Sequence, residues 1–281
     1  MAATVRSIRD LRASIGDARS RGARVALVPT MGALHEGHLS LVKLAAREAE
    51  FVVASVFVNP TQFSPDEDFK AYPRDEGRDV DLLAGAGCHL VYAPVAATIY
   101  PPGFATTISV AGLTADLEGA VRPHHFAGVA TVVAKLLIQA GPDVAVFGEK
   151  DYQQLQVIRR LTADLNLPVE ICAGPIVRDH DGLALSSRNA YLAAEQRRIA
   201  PELNRALVRA RDGLLTGAHA ADVEREATAA LLAAGFASVD YFEARDADSL
   251  ARLGPGPVAP EARLLAAARL GRVRLIDNLQ V

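Results

Sequence analysis

The first part of the chain alternates short apolar runs with stretches whose apolar residues recur at helical spacing. The runs at 24–28 and 51–58 are rich in valine and end at prolines, as is typical of strands covered on both faces of a sheet. A turn over 32–37 separates the first of them from a helix with Leu39 and Val42 on its apolar face. The other predicted elements up to residue 174 are helices at 5–21, 79–86, 126–139 and 152–165, and strands at 89–92, 143–147 and 169–172.

Strands that alternate with helices favour right-handed crossovers and a parallel sheet. We therefore expect an α/β fold with a doubly wound, Rossmann-like parallel sheet over residues 1–174. After Gly174 and Pro175 the pattern changes to Ala-, Arg- and Leu-rich helices followed by strands. These predict a smaller C-terminal α+β domain over residues 175–281, with helices at 195–214 and 221–234 and strands at 238–244, 263–270 and 272–279.

Composition narrows the class of protein. Half of the 281 residues are hydrophobic and 22% are charged, which favours a packed core over disorder. The net charge of −3 provides no broad basic surface for nucleic acid or an acidic membrane, and no run of about 18 apolar residues predicts a membrane span. Two cysteines, Cys88 and Cys172, and an N-terminus without an apolar leader favour a cytoplasmic protein.

The stretch His35-Glu36-Gly37-His38 allows three interpretations. A zinc pair has two histidines four apart on one helix, whereas these are three apart, and nothing in the sequence selects a further ligand. A phosphate site is favoured by its place between a strand and a helix, because backbone N–H groups and the helix dipole attract anions there. Gly32 and Gly37 would allow close approach, and histidines can donate to phosphate oxygens. The third interpretation is a glycine-rich turn with surface histidines.

Two more polar segments follow predicted strands. Asn59 and Gln62 carry amides suited to the hydroxyls and carboxylates of a small substrate, although Asn59-Pro60 could be a simple turn. Gly148 to Asp151 follow the strand at 143–147. There Lys150 could neutralise phosphate charge, while Glu149 and Asp151 could bind ribose hydroxyls or simply favour a helix start.

Other polar clusters are less specific. Ser186, Ser187 and Arg188 suit a polyphosphate, but Ser as a helix cap and Arg as a solvated charge explain them equally well. Arg122, His124 and His125 precede a predicted helix and could line the same mouth of the sheet, but such residues are more often solvated loop positions. One carboxylate of an acidic, otherwise solvated face could hold Mg²⁺ together with substrate phosphates; that face comprises Asp66, Glu67, Asp68, Asp75, Glu76 and Asp79.

Several of these segments, in order, resemble one family. PTMGALHEGH, FVNPTQF, YPRD, LEGAVRPHHFAGV, FGEKDYQQL, DGLALSSRN and the terminal RLIDN are similar to pantothenate synthetases (pantoate–β-alanine ligases), over essentially the whole chain. The resemblance implies that pantoate attacks the α-phosphate of ATP, giving pantoyl adenylate and pyrophosphate. The amine of β-alanine then attacks the acyl carbon, releasing AMP and pantothenate.

The resemblance also implies roles for individual residues. His35 and His38 would contact the phosphates, with His38 in a proton-donor role, and Lys150 would reach the reacting phosphate. Gln62 and Gln154 would hold pantoate, with Gln62 also near β-alanine and Asn59 in the same pocket. The ATP site would comprise Met31, Gly32, Ala33, Leu34, His35, Glu36, Gly37, His38, Gly148, Glu149, Lys150, Asp151, Val177, Leu185, Ser186, Ser187 and Arg188.

Asp79 is the predicted Mg²⁺ ligand, and Arg78 stands where some relatives have a second acid. Thr61, where many relatives have methionine, is a milder departure. The resemblance implies a homodimer, and we expect residues 175–281 to act as a lid that excludes water from the adenylate. The competing hypotheses are an adenylyl transferase that stops at a nucleotide product, a non-catalytic nucleotide sensor and a zinc hydrolase.

Overall fold

The computed structural model describes residues 2–63, 69, 72–258 and 261–281. The chain forms two compact units: unit 1 comprises Met1–Glu149 and Gln153–Pro175, and unit 2 comprises Lys150–Tyr152 and Ile176–Val281. The predicted boundary after residue 174 lies next to the last residue of unit 1, whereas Lys150–Tyr152 groups with unit 2. Within the described ranges, no helix combines the length and the apolar character needed to cross a membrane.

Unit 1 contains a six-stranded sheet in the order β1-β4-β3-β2-β5-β6, in which every neighbouring pair is parallel. The order runs outward from β2 in both directions, so the predicted doubly wound α/β fold is confirmed. Its strands are β1 (Ala3–Val5), β2 (Val25–Thr30), β3 (Phe51–Val56), β4 (Leu90–Tyr92), β5 (Val144–Gly148) and β6 (Glu170–Gly174). Its helices are α1 (Ile8–Ser20), α2 (Glu36–Glu48), α3 (Glu76–Gly85), α4 (Ala96–Ile99), α5 (Glu118–Val121), α6 (His125–Ala140) and α7 (Tyr152–Asp164), the last of which begins in unit 2.

The central strands are buried because helices lie against the sheet. Val42 and Ala45 of α2 pack on Ala26, Val28 and the alternate residues of β3, while α1 and α6 contact β2. The residues between them along each strand, such as Leu27 and Val53, point to the opposite face of the sheet and are also buried. Burial on both faces explains why these strands appear in the sequence as unbroken apolar runs.

The N-terminal prediction was partly wrong. Residues 3–5 form β1 beside β4, and α1 begins only at Ile8, after Ser7, whose side chain accepts the backbone N–H of Asp10. Strand β1 is short and mostly exposed, so its sequence has no apolar pattern that would distinguish it from the helix that follows.

Unit 2 contains an antiparallel sheet in the order β7-β8-β9, with strands β7 (Ser238–Asp246), β8 (Ala262–Leu270) and β9 (Val273–Gln280). Its helices are α8 (Ala194–Ile199), α9 (Glu202–Leu215) and α10 (Ala220–Ala234). The single helix predicted at 195–214 is therefore two helices, which meet at Ala200 and Pro201. Leu264, Ala266 and Ala268 of β8 join the core formed with α9 and α10, which confirms the smaller α+β part of the fold.

Candidate active site

The two histidines of His-x-Gly-His lie at the start of α2. His35 is the N-cap, and Gly37 and His38 are already in the first helical turn, so the predicted turn ends earlier than 37. The Nδ1 atom of His35 accepts the backbone N–H of Gly37 at 3.1 Å, and Nδ1 of His38 accepts the backbone N–H of His35 at 3.4 Å. Because both rings accept at Nδ1, a neutral ring carries its proton on Nε2, the atom that can donate to a phosphate oxygen.

A buried carboxylate holds the turn before that helix. Asp79 is 1% exposed, and its Oδ2 and Oδ1 atoms accept the backbone N–H groups of Ala33 and Leu34, each at 2.9 Å. Gly32 has a φ of 80°, and a Cβ atom there would lie 2.7 Å from Oδ2 of Asp79. The turn therefore requires glycine for both its left-handed backbone and this close approach.

Asp79, the predicted magnesium ligand, also has a structural role that its surroundings define. The side chain is buried and each oxygen already accepts a backbone N–H, so the structure gives it the role of holding the turn. Among the described residues, no group of three or more histidines, cysteines and acids is arranged to hold a metal ion. Of the acidic face, Asp75 caps α3 and Glu76 pairs with Arg6, while Asp66, Glu67 and Asp68 lie outside the described residues.

Asn59 lies in a fully defined hydrogen-bond network. It is 1% exposed, and its Oδ1 accepts the backbone N–H of Thr61 at 3.3 Å and the hydroxyl of Tyr100 at 2.7 Å. Its Nδ2 donates to the carbonyl of Gly128 at 3.2 Å and to Oε1 of Gln62 at 3.1 Å. A backbone donor at one end and a backbone acceptor at the other leave only one orientation for the amide of Asn59.

The orientation of Asn59 determines that of Gln62. Because Oε1 of Gln62 accepts from Asn59, its Nε2 is directed elsewhere and lies 2.9 Å from the sulfur of Met31, the first residue of the predicted ATP segment. Gln62 therefore presents an N–H donor beside that segment, as a carboxylate or hydroxyl substrate requires.

Of the two interpretations of Arg122 and His125, the structure contradicts the one that made them solvated loop positions. Nδ1 of His125 lies 3.0 Å from the carbonyl of Gln62, and Arg122 donates to the same carbonyl at 3.3 Å. Arg122 also pairs with Glu118, and both side chains are largely buried. Only His124 is exposed as expected. Both the backbone and the side chain of Gln62 are therefore held by neighbouring residues.

The segment after β5 forms a 3₁₀ turn, Glu149–Asp151, before α7 begins. Gly148 pairs in register with Gly174 of β6, Lys150 is half-buried and Asp151 is exposed. The two glutamines of α7 differ. Gln153 is buried and bonds to the backbone of residues 113, 116 and 118, whereas the predicted pantoate ligand Gln154 is half-buried.

In unit 2 the Ser-Ser-Arg segment follows a hairpin over 177–185. The backbone N–H of Leu185 donates to the carbonyl of Val177 at 2.9 Å. Val177 and Leu185, both predicted to contact the nucleotide, therefore lie side by side. The side chain of Ser186 accepts the backbone N–H of Arg188 and caps the 3₁₀ helix Ser187–Tyr191. Ser186 therefore has the helix-capping role that the sequence left open.

Hydrogen bonds to charged groups also shape this hairpin. Arg197 donates to Asp179 at 2.6 Å and to Asp181 at 2.5 Å. Hydrogen bonds from His180 and then Arg197 lower the pKa of Asp179 to about 2, and Arg197 is the main cause of the lowered pKa of Asp181. Both carboxylates are therefore ionised at neutral pH, which keeps them paired with Arg197.

Sequence reasoning missed several residues that hold the site. Tyr100 orients Asn59, and Gly128 allows the backbone of Thr61 to approach α6, since a Cβ atom there would lie 2.4 Å from the carbonyl oxygen of Thr61. Asp277 and Asn278 were noticed only as part of RLIDN, without a role. No local signal distinguishes such residues, because their partners lie far away along the chain.

The chain is similar to pantothenate synthetases in both sequence and fold. The sequence pattern of the pantoate–beta-alanine ligase family matches residues 3–280. The chain is 61% identical over 278 residues to pantothenate synthetase from Paramagnetospirillum magneticum, covering 99% of this chain and 97% of that protein. The crystal structure of pantothenate synthetase from Thermus thermophilus is 50% identical, with a TM-score of 0.92 and 99% of both chains covered.

A third relative has ligands bound. The crystal structure of pantoate–beta-alanine ligase from Francisella tularensis, complexed with beta-gamma ATP and beta-alanine, has a TM-score of 0.82 and 32% identity. The match covers 100% of this chain and 98% of that one. The chain therefore belongs to the pantoate–β-alanine ligase family.

Proposed function

We propose that this protein condenses pantoate with β-alanine at the expense of ATP, through a pantoyl adenylate, and releases pyrophosphate and AMP. The observation that carries the proposal is the turn over residues 31–38 at the carboxyl end of β2, where histidine rings and a helix N-terminus provide donors for an anion. The Francisella ligase is complexed with beta-gamma ATP and beta-alanine, which supports this assignment.

In the first step, a carboxylate oxygen of pantoate attacks the α-phosphorus and the bond to the bridging oxygen of pyrophosphate breaks. Negative charge develops on the phosphate oxygens, and preorganised donors stabilise it. His35 and His38 supply Nε2–H donors in this proposal, and Lys150 supplies a positive charge. Catalysis is then mainly positioning and electrostatic stabilisation, with no covalent bond to the enzyme.

The pantoate pocket is built around Gln62 and Gln154. The Nε2 donor of Gln62 would bind the carboxylate or a hydroxyl of pantoate, and the network from Tyr100 through Asn59 keeps that donor from rotating away. Asn59 itself makes protein contacts with both ends of its amide, so it serves the pocket by orienting Gln62.

In the second step, the unprotonated amine of β-alanine attacks the acyl carbon. The bond to the AMP oxygen breaks, the amine loses a proton and pantothenate forms. AMP leaves with the phosphate charge that the same donors already stabilise. Gln62 is the residue proposed to lie near both pantoate and β-alanine.

Magnesium belongs to the proposal as the ion that accompanies ATP and offsets its charge. Asp79 stays the predicted ligand of that ion, and its carboxylate also holds the turn through the backbone N–H groups of Ala33 and Leu34. We assign no step of the reaction to a protein-bound metal.

Pantoate binding, a homodimer, a cytoplasmic location and a lid role for residues 175–281 remain proposals that rest on the family resemblance. Light scattering on the purified protein tests the dimer directly: a mass of about 60 kDa is expected from a chain of 29.7 kDa. A mass close to that of one chain would contradict it.

Product analysis with ATP, Mg²⁺, pantoate and β-alanine tests the reaction. AMP and pantothenate should appear in equal amounts, and only when both substrates are present. ADP as a product, or AMP formed without pantoate, would exclude the ligase reaction. Nucleotide binding without turnover would favour the sensor hypothesis.

Lys150→Ala tests the site itself. Loss of a charge that stabilises the transition state should lower turnover by roughly two to three orders of magnitude, with the fold retained. Lys43→Ala is the matched control, because Lys43 is exposed on α2 and its ammonium group lies at the loose distance of 3.6 Å from the carboxylate of Glu36. Near-normal turnover of Lys150→Ala would remove Lys150 from the reaction.

A further inference from the structure

Strand β9 carries two polar residues in the interior of unit 2. Asp277 is 4% exposed and Asn278 is 2% exposed, and both belong to the RLIDN motif, which has no part in the proposed reaction steps. A carboxylate and an amide are costly to bury unless partners satisfy them. Those partners are the two segments of unit 2 that carry the proposed nucleotide contacts.

Asp277 binds the hairpin over 177–185 through Arg178. The guanidinium donates to Oδ2 of Asp277 at 2.6 Å and to Oδ1 at 2.9 Å, which is a two-pronged ion pair. The same guanidinium donates to the carbonyls of Gly182 at 3.1 Å and Asn278 at 3.3 Å. One side chain therefore ties the first strand of the hairpin, its turn and β9 together, with the directional specificity of a bidentate pair.

Asn278 binds the other segment directly. Its Nδ2 donates to the backbone carbonyl of Lys150 at 2.9 Å, and its Oδ1 accepts from Nε of Arg263 at 2.8 Å. The guanidinium carbon of Arg263 in turn lies 3.8 Å from the centre of the Tyr152 ring. The Tyr152 hydroxyl donates to the carbonyl of Ala247 at 3.0 Å. Residues 150–152 are thus held by backbone, ring and hydroxyl contacts to the rest of unit 2.

We propose that Asp277 and Asn278 are positioning residues for nucleotide binding. Adjacent on one strand, they hold the backbone of Lys150 and the hairpin that leads to Ser186–Arg188 in a fixed relation, so that the ammonium group and the hydroxyl and guanidinium donors reach one polyphosphate. This inference rests on the proposed function, in which both segments bind ATP. Neither residue touches the nucleotide.

The chemistry of the pair supports positioning over mere packing. Apolar residues of similar volume can replace a buried ion pair without loss of stability, so stability alone does not require these groups. A lysine ammonium on a flexible stem reaches its target only if its backbone is placed correctly, and an error of about 1 Å can cost about a hundredfold in rate. The contact from Asn278 to the Lys150 carbonyl provides that placement.

The test compares two amide-to-carboxylate changes on β9. Asn278→Asp keeps the acceptor for Arg263 but replaces the donor to Lys150 with a negatively charged oxygen. Gln280→Glu makes the same chemical change at an exposed position two residues along. Each is made in the wild-type and in the Lys150→Ala background, and kcat and KM are measured for ATP and for pantoate.

We expect Asn278→Asp to raise the KM for ATP and lower kcat, with kcat/KM for ATP falling at least about tenfold and the KM for pantoate unchanged. In the Lys150→Ala background the same change should cost less than about twofold, because there is no ammonium left to position. Gln280→Glu should behave like the parent protein in both backgrounds.

Equal losses in both backgrounds, or wild-type kinetics of Asn278→Asp, would overturn the inference. If Asn278→Asp does not fold, Asn278→Ser removes the amide donor without adding charge and undergoes the same comparison.

Calorimetric titration with ATP separates the proposed ligase reaction from the proposed positioning role of Asp277 and Asn278. If wild type makes no pantothenate but Asn278→Asp weakens ATP binding and Gln280→Glu does not, the reaction is wrong and the positioning role stands.

Discussion

The turn over residues 31–38 in unit 1 and the hairpin over 177–185 in unit 2 each depend on a buried aspartate, but the two aspartates act differently. Asp79 accepts backbone N–H groups of the turn itself, whereas Asp277 reaches its hairpin through the side chain of Arg178. Both carboxylates are supplied by elements distant in sequence, α3 and β9.

The difference predicts how much each region tolerates change. In unit 1, the peptide groups at Ala33 and Leu34 are bonded directly, and the turn also has a left-handed backbone at Gly32 and Ala33. In unit 2, the guanidinium of Arg178 shares its donors among several acceptors, so the loss of one contact leaves others. We therefore expect that removing the Asp79 contact lowers activity more than weakening the Arg178 contact does.

The largest effect is expected for Asp79→Asn. An amide has only one acceptor atom, so one buried N–H of the turn loses its partner, at a cost of about 1–3 kcal/mol in the free energy of unfolding. The misplaced turn should lower kcat/KM for ATP by about a hundredfold or more. Asp81→Asn on the exposed side of α3 is the control.

The same variant tests the predicted magnesium role of Asp79. A metal ligand would show its loss as a higher requirement for Mg²⁺, so that excess Mg²⁺ restores activity. A residue that holds the turn would show the same defect at every saturating Mg²⁺ concentration, which is the result we expect. Measuring initial rates against Mg²⁺ at fixed ATP distinguishes the two.

Gly32→Ala should have the next largest effect. The left-handed backbone alone costs about 1–2 kcal/mol with a side chain, and the added Cβ would also displace the Asp79 carboxylate. Gly22 has a φ of 83° with no atom near its Cβ position, so Gly22→Ala isolates the backbone cost. Thermal unfolding should shift for both variants, while the KM for ATP should rise only for Gly32→Ala. A rise for both would mean that the close approach to Asp79 is unimportant.

Arg178→Lys should have a smaller effect. Lysine keeps the positive charge but loses the planar fork that binds both oxygens of Asp277, so we expect a loss of about 1–2 kcal/mol in the free energy of unfolding. The KM for ATP should rise about fivefold with that for pantoate unchanged, as expected when part of the hairpin contact survives. Arg209→Lys, at an exposed and weakly paired position, is the control. A loss as large as that of Asp79→Asn would contradict the comparison.

The smallest effect concerns the exposed carboxylate of Asp179. Its pKa is about 2 in the folded protein against an ordinary 3.8, so its pairing stabilises the fold above about pH 4 and is lost as the pH falls towards 2. The thermal midpoints of wild type and Asp179→Asn should therefore differ slightly at neutral pH and converge as the pH falls through that range. A difference that persists at pH 2 would mean that the contribution does not come from the charge.

The succession of most helices and strands along the chain was predictable because apolar runs and helical spacing are local properties of the sequence. The start of α1 was not, because residues 3–5 form a strand only through pairing with β4. The break between α8 and α9 lies at Pro201 and could have been recognised from the sequence, since proline rarely continues a helix. Arg122 and His125 looked like solvated loop residues because their shared acceptor, the carbonyl of Gln62, is about 60 residues away along the chain.

The sequence by itself determined the α/β class, the family and the segments proposed to bind ATP, because each rests on periodicity or on a motif of consecutive residues. Only the tertiary structure decided how those segments are held. Asp79 was predicted as a metal ligand and lies bonded to the turn, and Asn278, which had no predicted role, lies bonded to Lys150. Such roles depend on which distant group fills a buried donor or acceptor, and chain folding alone brings those groups together.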